Sequence, residues 1–309
     1  DIYNVIHSEF VPLFNPFQSY FDHLPSWDGV SDPIGDLADT VHVKSDQAEF
    51  RDYFRKWFVG ILPALLDDTV VNHEILVLIG EQGLYKTTWF NFLLPPELRC
   101  YFYTKTNSDR LNKDDLFSLT EFALICFEEL DGMRPAELNQ LKAMVTMPYV
   151  NERAAYGRNK ERHPHIASFC GTGNNVQFLT DPTGNRRWLP FEVSQIRDPH
   201  LHAIPYELVY SQAYALWKSG FCHWFSQEEI RKLNMHNSRF EVPNLEEDLI
   251  RTHFRKPFEG EAGIFVTAAD ILEQISSCLR YPLSPNKIGR IMAGLEFESI
   301  RYKGERGYI

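Results

Sequence analysis

Nine consecutive residues, Gly80-Glu81-Gln82-Gly83-Leu84-Tyr85-Lys86-Thr87-Thr88, combine two glycines, a lysine and two threonines at a spacing suited to holding a polyphosphate. The order has a physical reason. Backbone N–H groups of such a loop, and of a helix that follows it, converge on phosphate oxygens. A lysine at position 86 reaches terminal phosphates, and the Thr87 hydroxyl can ligate Mg²⁺. The interval from Gly80 to Thr87 is that of a P-loop, G-x-x-x-x-G-K-[ST], with Tyr85 standing where the second glycine belongs. If that position requires a positive φ, a tyrosine there is strained.

Three further groups could complete the chemistry. Phe122-Ala123-Leu124-Ile125-Cys126-Phe127 is an apolar run ending in Glu128-Glu129-Leu130-Asp131, the Walker B pattern. One carboxylate then holds Mg²⁺ and the next polarises the attacking water. Consecutive strand residues face opposite ways, so Glu128 is assigned to the metal and Glu129 to the water, with Asp131 in reserve. Ile166 to Cys170 ends in Gly171-Thr172-Gly173-Asn174-Asn175, where the neutral amide of Asn174 could orient water without adding negative charge. Asp181-Pro182-Thr183-Gly184-Asn185-Arg186-Arg187-Trp188 offers Arg186 or Arg187 as a guanidinium that reaches the γ-phosphate of a neighbouring subunit.

These groups need a scaffold, and the flanking residues supply one. Ile75 to Ile79 is uniformly apolar, as a buried parallel strand would be. Trp89 to Leu94 continues the loop as a helix that Pro95-Pro96 stops. Apolar runs at 75–79, 100–103, 122–127, 166–170 and 188–193 alternate with helical stretches, which implies a parallel sheet. The expected organisation is a helical region over 1–70, an ATPase core over 71–195, a helical connector over 196–260 and a small unit over 261–309.

The chain has 309 residues, 44% hydrophobic and 24% charged, as in an ordinary globular protein. Its apolar runs are too short to span a membrane, and Asp1-Ile2-Tyr3-Asn4 does not open a signal peptide. The lack of an initial Met fits a fragment. Five scattered cysteines without a C-x-x-C pair suggest free thiols in a reducing cytoplasm rather than a zinc site or a disulfide frame. The net charge is −11, but it is unevenly spread. Residues 1–70 carry twelve acids against four bases, whereas 150–190 and 280–309 each carry six bases against three acids. An acidic body with two basic islands fits local contact with a polyanion.

The second basic island lies in a compact pattern. Thr267 caps a helix with Asp270 as its reciprocal partner. Tyr281-Pro282-Leu283-Ser284-Pro285 turns into a second helix from Asn286, and Phe297 to Ile309 alternates about a glycine turn as a β-wing would. Helix–turn–helix–wing is a DNA-binding plan, though it also serves protein contact. Lys287 and Arg290 would share a helix face, with Arg301, Lys303 and Arg306 on the wing.

With these pieces in order, the chain resembles the virulence-associated protein E family, P-loop proteins of phages and mobile elements related to superfamily 3 helicases and often joined to primases. The carrying residues are Asn15-Pro16 with Trp27-Asp28-Gly29, Gly80 to Thr88, Phe127 to Asp131, Leu141-Lys142 ahead of Arg153 to Arg158, Gly171 to Asn174, and Phe178-Leu179 through Thr183 to Trp188. The resemblance implies an α/β fold of the AAA+-like, superfamily 3 helicase-like kind, with a winged-helix unit at the C-terminal end. It implies a ring-forming ATPase that uses ATP and Mg²⁺ on single-stranded or forked DNA, with a primase as a partner. Gly80, Gly83, Lys86 and Thr87 would match the phosphate loop, Glu128 and Glu129 the acidic pair, Asn174 the sensor, and Arg186 or Arg187 the finger. A DNA-tracking hairpin would occupy Tyr149 to His165, with Arg158, Lys160, Arg162 and His163 near its tip. The rival expectation is a DNA-binding scaffold whose P-loop has decayed. A small-molecule kinase fits less well, because it needs a substrate lid rather than a DNA reader.

Overall fold

The computed structural model describes residues 2, 8, 14–106, 113–152, 161–180, 185–243, 245–258, 260–276 and 284–309. The chain divides into a unit ending at Glu241 and a second unit running from Val242 to Ile309.

In the first unit the strands are β1 (Val41–Val43), β2 (Ile75–Ile79), β3 (Phe102–Lys105), β4 (Leu124–Phe127), β5 (Tyr149–Glu152), β6 (Glu161–Pro164), β7 (Ser168–Gly173) and β8 (Trp188–Ile196). Six of them form one sheet in the order β1-β8-β2-β7-β4-β3. β2 pairs in parallel with β7 and β8, as β4 does with β3 and β7, while β1 closes one edge antiparallel to β8. The helices are α1 (Pro16–Asp22), α2 (Pro33–Ala38), α3 (Gln47–Leu66), α4 (Lys86–Leu93), α5 (Lys113–Glu121), α6 (Pro135–Val145), α7 (Tyr206–Lys218) and α8 (Gln227–Asn237).

Every residue of β2 is buried, because both faces of the sheet are covered. Leu76 and Leu78 join a core with Phe54, Trp57 and Phe58 of α3, Phe90 of α4 and Tyr210 of α7. Ile75, Val77 and Ile79 point the other way, into a cluster with Leu138, Leu141 and Val145 of α6. α3 starts where the Asp46 side chain accepts from the Ala48 N–H at 2.8 Å. It lies along the sheet, and the Trp57 indole N–H donates to the Phe169 carbonyl at 2.9 Å. Burying each of its large aromatics contributes about 2–3 kcal/mol.

The third strand begins two residues later than its apolar run, because Arg99–Tyr101 forms a single tight turn. The expected boundary near Lys256–Gly260 also moves, to Glu241/Val242. The reason is packing: Ile250 is fully buried with Ile271, Ile275, Ile288 and Met292 of the second unit, and Leu249 and Phe254 pack on the same cluster.

That second unit contains α9 (Leu245–His253), β9 (Val266–Thr267), α10 (Ala268–Ser276), α11 (Pro285–Gly294), β10 (Ser299–Tyr302) and β11 (Glu305–Tyr308). Its three strands form an antiparallel sheet in the order β10-β11-β9. The Thr267 N–H donates to Asp270 Oδ2 at 2.8 Å and the Asp270 N–H donates to Thr267 Oγ1 at 3.2 Å, the reciprocal cap the sequence predicts. Lys303 and Gly304, at φ 50° and 90°, close the β10–β11 hairpin in the sense that matches strand twist. The predicted turn at Tyr281–Leu283 lies outside the described residues. Among the described residues no helix is long and apolar enough to cross a membrane.

Candidate functional site

Because β2, β4 and β7 run parallel, their C-terminal ends lie side by side, and the segments leaving them meet at one edge of the sheet. They enclose a cavity of about 350 Å³ lined by Gln82 to Thr88, by Glu128 and Glu129, and by Thr172 to Asn174. Three of the four groups singled out in the sequence thus come together.

The glycine loop after β2 bends sharply at Tyr85. Tyr85 sits at φ 60°, ψ 18°, in the left-handed region, so the tyrosine occupies the conformation that favours glycine. Gly83 has φ 84°. Gly80 serves a different need: a Cβ there would lie 2.9 Å from the Val193 carbonyl oxygen. The Gly80 N–H also donates to the Gly173 carbonyl at 3.1 Å, tying the loop to β7.

Lys86 begins α4 and is only 8% exposed. Its Nζ donates to the carbonyl oxygens of Gly80 at 2.6 Å and Glu81 at 2.8 Å, and reaches Asn174 Oδ1 at 3.4 Å. Burial pulls its pKa down, and the Asp131 carboxylate opposes that shift. Gly80 and Glu81 therefore bear on the site through their carbonyls, outside the cavity lining itself.

The acidic pair corrects one sequence argument. β4 ends at Phe127, so strand alternation does not govern Glu128 and Glu129. Glu129 instead takes φ 53°, and this second left-handed turn leaves both glutamates lining the same cavity. Their surroundings differ all the same. Thr87 Oγ1 donates to Glu128 Oε1 at 2.8 Å, which places two hard oxygen ligands together. Such a pair suits Mg²⁺, which takes few protein ligands and completes its shell with water and substrate phosphates. Among the described residues no group of three or more His, Cys, Asp and Glu could hold a metal by itself. Asp131 is occupied elsewhere, accepting from the N–H groups of Asn174 and Asn175.

Arg186 and Arg187 are not at this cavity. They precede β8, and Trp188 is in register with Ile75, whereas the phosphate loop leaves β2 after Ile79. The arginines thus sit at the N-terminal edge of the sheet, roughly 15 Å along the strands from the loop. There they line a second cavity of about 320 Å³ with His73, Glu74 and Trp224. Burial pushes the Glu74 carboxyl up to about 7. Burial, then the two guanidinia, hold His73 below its ordinary value. Neither arginine lines the cavity beside Lys86.

β5 and β6 form the expected antiparallel hairpin. Its tip, including Arg158 and Lys160, lies outside the described residues, as do Asp181 to Gly184. Arg162 is exposed and stacks on Tyr149 with its guanidinium carbon 3.5 Å from the ring centroid, and His163 is half-buried. In the second unit Arg290, Arg301, Lys303 and Arg306 are exposed. Lys287 is tied up instead, its Nζ donating to Glu246 Oε1 at 2.5 Å. The sequence carried no signal for the part-buried Lys105–Asp115 ion pair, or for the contacts of Asp131.

Comparison with solved structures places the fold. The apo structure of the NrS-1 C-terminal region (305–718) superposes with a TM-score of 0.51 at 12% identity, covering 93% of this chain and 77% of that one. The A form apo structure of the same region gives 0.50 at 12% identity, covering 94% and 77%. Curated proteins offer no sequence match. The profile of the virulence-associated protein E-like domain matches residues 22–242, and the chain belongs to that family.

Proposed function

We propose that this chain is an ATP-dependent, DNA-associated motor of the helicase kind, acting in the replication or transfer of a phage or mobile element. One observation carries the reading: Lys86, the Thr87–Glu128 pair, Glu129 and Asn174 all meet at a single cavity at the C-terminal edge of a largely parallel sheet. Ligands of open α/β sheets bind at that edge.

The residues divide the work by chemistry. The loop from Gly80 to Thr88 presents N–H groups and the start of α4 to the phosphates. Lys86 already points its ammonium at carbonyl oxygens, so it can exchange them for phosphate oxygens. Thr87 and Glu128 would hold Mg²⁺, which when bound supplies charge neutralisation for the phosphates. Glu129 would polarise the attacking water, and Asn174 would orient it. Arg186 or Arg187 would act on a neighbouring subunit, in keeping with their distance from their own loop. That role requires a homo-oligomer, for which a ring is the natural closed form.

The DNA contacts are assigned to the β5–β6 hairpin and to the second unit. The element order helix, strand, helix, helix, two-stranded hairpin in the second unit supports reading it as a winged helix. Arg290, Arg301, Lys303 and Arg306 would meet phosphates there, and Lys287 only after leaving Glu246. Unpaired Cys100, Cys126, Cys170 and Cys222 fit a cytoplasmic setting. A primase is proposed as a partner on the family resemblance alone.

A second reading, a DNA-binding scaffold without turnover, is favoured by Tyr85, a residue 41% exposed that lines the cavity. ATP hydrolysis measured with and without single-stranded DNA separates the two. Turnover that Lys86→Ala abolishes supports the motor. Absence of nucleotide binding at millimolar ATP supports the scaffold.

A further inference from the structure

The Leu130–Gly132 turn, which follows the acidic pair, sends one carboxylate across to the segment after β7. Asp131 Oδ1 accepts from the Asn174 N–H at 3.0 Å. Oδ2 accepts from the Asn175 N–H at 3.1 Å and from Asn175 Nδ2 at 2.8 Å. Gly173 admits this approach, since a Cβ there would lie 3.0 Å from Asp131 Oδ1. The turn itself is anchored by Leu130, which is fully buried against Gly171. On its far side Asn174 reaches back to Lys86 through Oδ1.

We infer that Asp131 is a positioning residue: it holds the backbone of Asn174 so that the Asn174 amide stays at the nucleotide cavity beside Lys86. The inference rests on the ATPase reading and extends it, giving Asp131 a task other than metal binding or water activation. All three of its hydrogen bonds are charge-assisted and converge on two adjacent residues. A neutral amide at position 131 cannot reproduce them, because its NH₂ group would face a donor. The segment after the acidic pair and the sensor segment are therefore held as one body.

The test is a double-mutant cycle on steady-state hydrolysis with Asp131→Asn and Asn174→Ala. Misplacing the Asn174 amide by about 1 Å should lower kcat on the order of 100-fold, while nucleotide affinity changes little. In the Asp131→Asn background, Asn174→Ala should then add almost no further loss, because the residue it deletes is already out of place. Losses that multiply would overturn the inference while leaving the ATPase reading intact. If the wild-type chain binds nucleotide but does not turn it over, the ATPase reading fails, and amide hydrogen exchange decides the positioning claim. Asn174 and Asn175 N–H groups protected in the wild type and exchanging about tenfold faster or more in Asp131→Asn would uphold it. Equal exchange in both proteins would refute it.

Discussion

Gly171 is the position where a single methyl group should do most damage to the site. It lies in β7, and a Cβ added there would come within 2.2 Å of Leu130 Cδ1, 3.1 Å of Leu130 Cγ and 3.1 Å of the Phe127 carbonyl oxygen. Leu130 has no exposed surface, so it cannot swing outward. Overpacking of this kind costs about 2 kcal/mol. Alanine recovers about 0.5–1 kcal/mol over glycine within a strand, leaving a net loss of about 1–1.5 kcal/mol for Gly171→Ala. The functional loss should be larger, because Leu130 stands between Glu129 and Asp131, and a shift of about 1 Å there can lower turnover about 100-fold. Leu130→Ala alone should cost about 3 kcal/mol as a cavity mutation. In the double mutant the new methyl fills part of that cavity, so stability should match Leu130→Ala alone, a coupling of about 1–1.5 kcal/mol. Urea denaturation midpoints at constant slope would measure it. If the two losses simply added, or if Gly171→Ala matched the wild type in midpoint and turnover, the contact between β7 and the acidic turn would not be as described.

Two further expectations concern other regions. Glu74 titrates at about 7 in the folded chain because of burial, so the native state binds more protons than the unfolded state between the ordinary glutamate value and 7. Stability should therefore fall as pH rises through that window, by up to about 2 kcal/mol from pH 5.5 to 7.5. Urea titrations of Glu74→Gln should lose this slope, and retention of it would place the buried proton on another group. In the second unit Arg301 and Arg306 face each other across the β10–β11 hairpin and are exposed. If they meet DNA phosphates, replacing either with Ala should reduce the salt-dependence slope of binding by about 1. Lys287→Ala should change it little, since Glu246 already holds that ammonium; a full unit lost with Lys287 would reverse this ordering.

Much of this molecule is legible in the order of its residues, and the reasons are local. A P-loop needs a buried strand, a glycine bend, a lysine and a hydroxyl in succession, and all of these lie within Ile75 to Thr88. Strands β4 and β7 announce themselves as apolar runs because both of their faces are covered, whereas β3, at the sheet edge, is only half-buried. Thr267 and Asp270 predict a cap because its partners are three residues apart.

Relations across the sheet were beyond the sequence. Strand periodicity suggested opposite faces for Glu128 and Glu129, but β4 stops one residue earlier, and a left-handed Glu129 leaves both at one cavity. Nothing in sequence separates Asp131 from a spare catalytic acid, because its hydrogen-bond partners lie more than forty residues away. Arg186 and Arg187 follow Asn174 closely in sequence yet sit at the opposite edge from the phosphate loop, because a parallel strand enters the sheet at one end and leaves at the other. Local chemistry is written in neighbouring letters; which loops share an edge is decided by strand pairing, whose partners lie tens of residues apart.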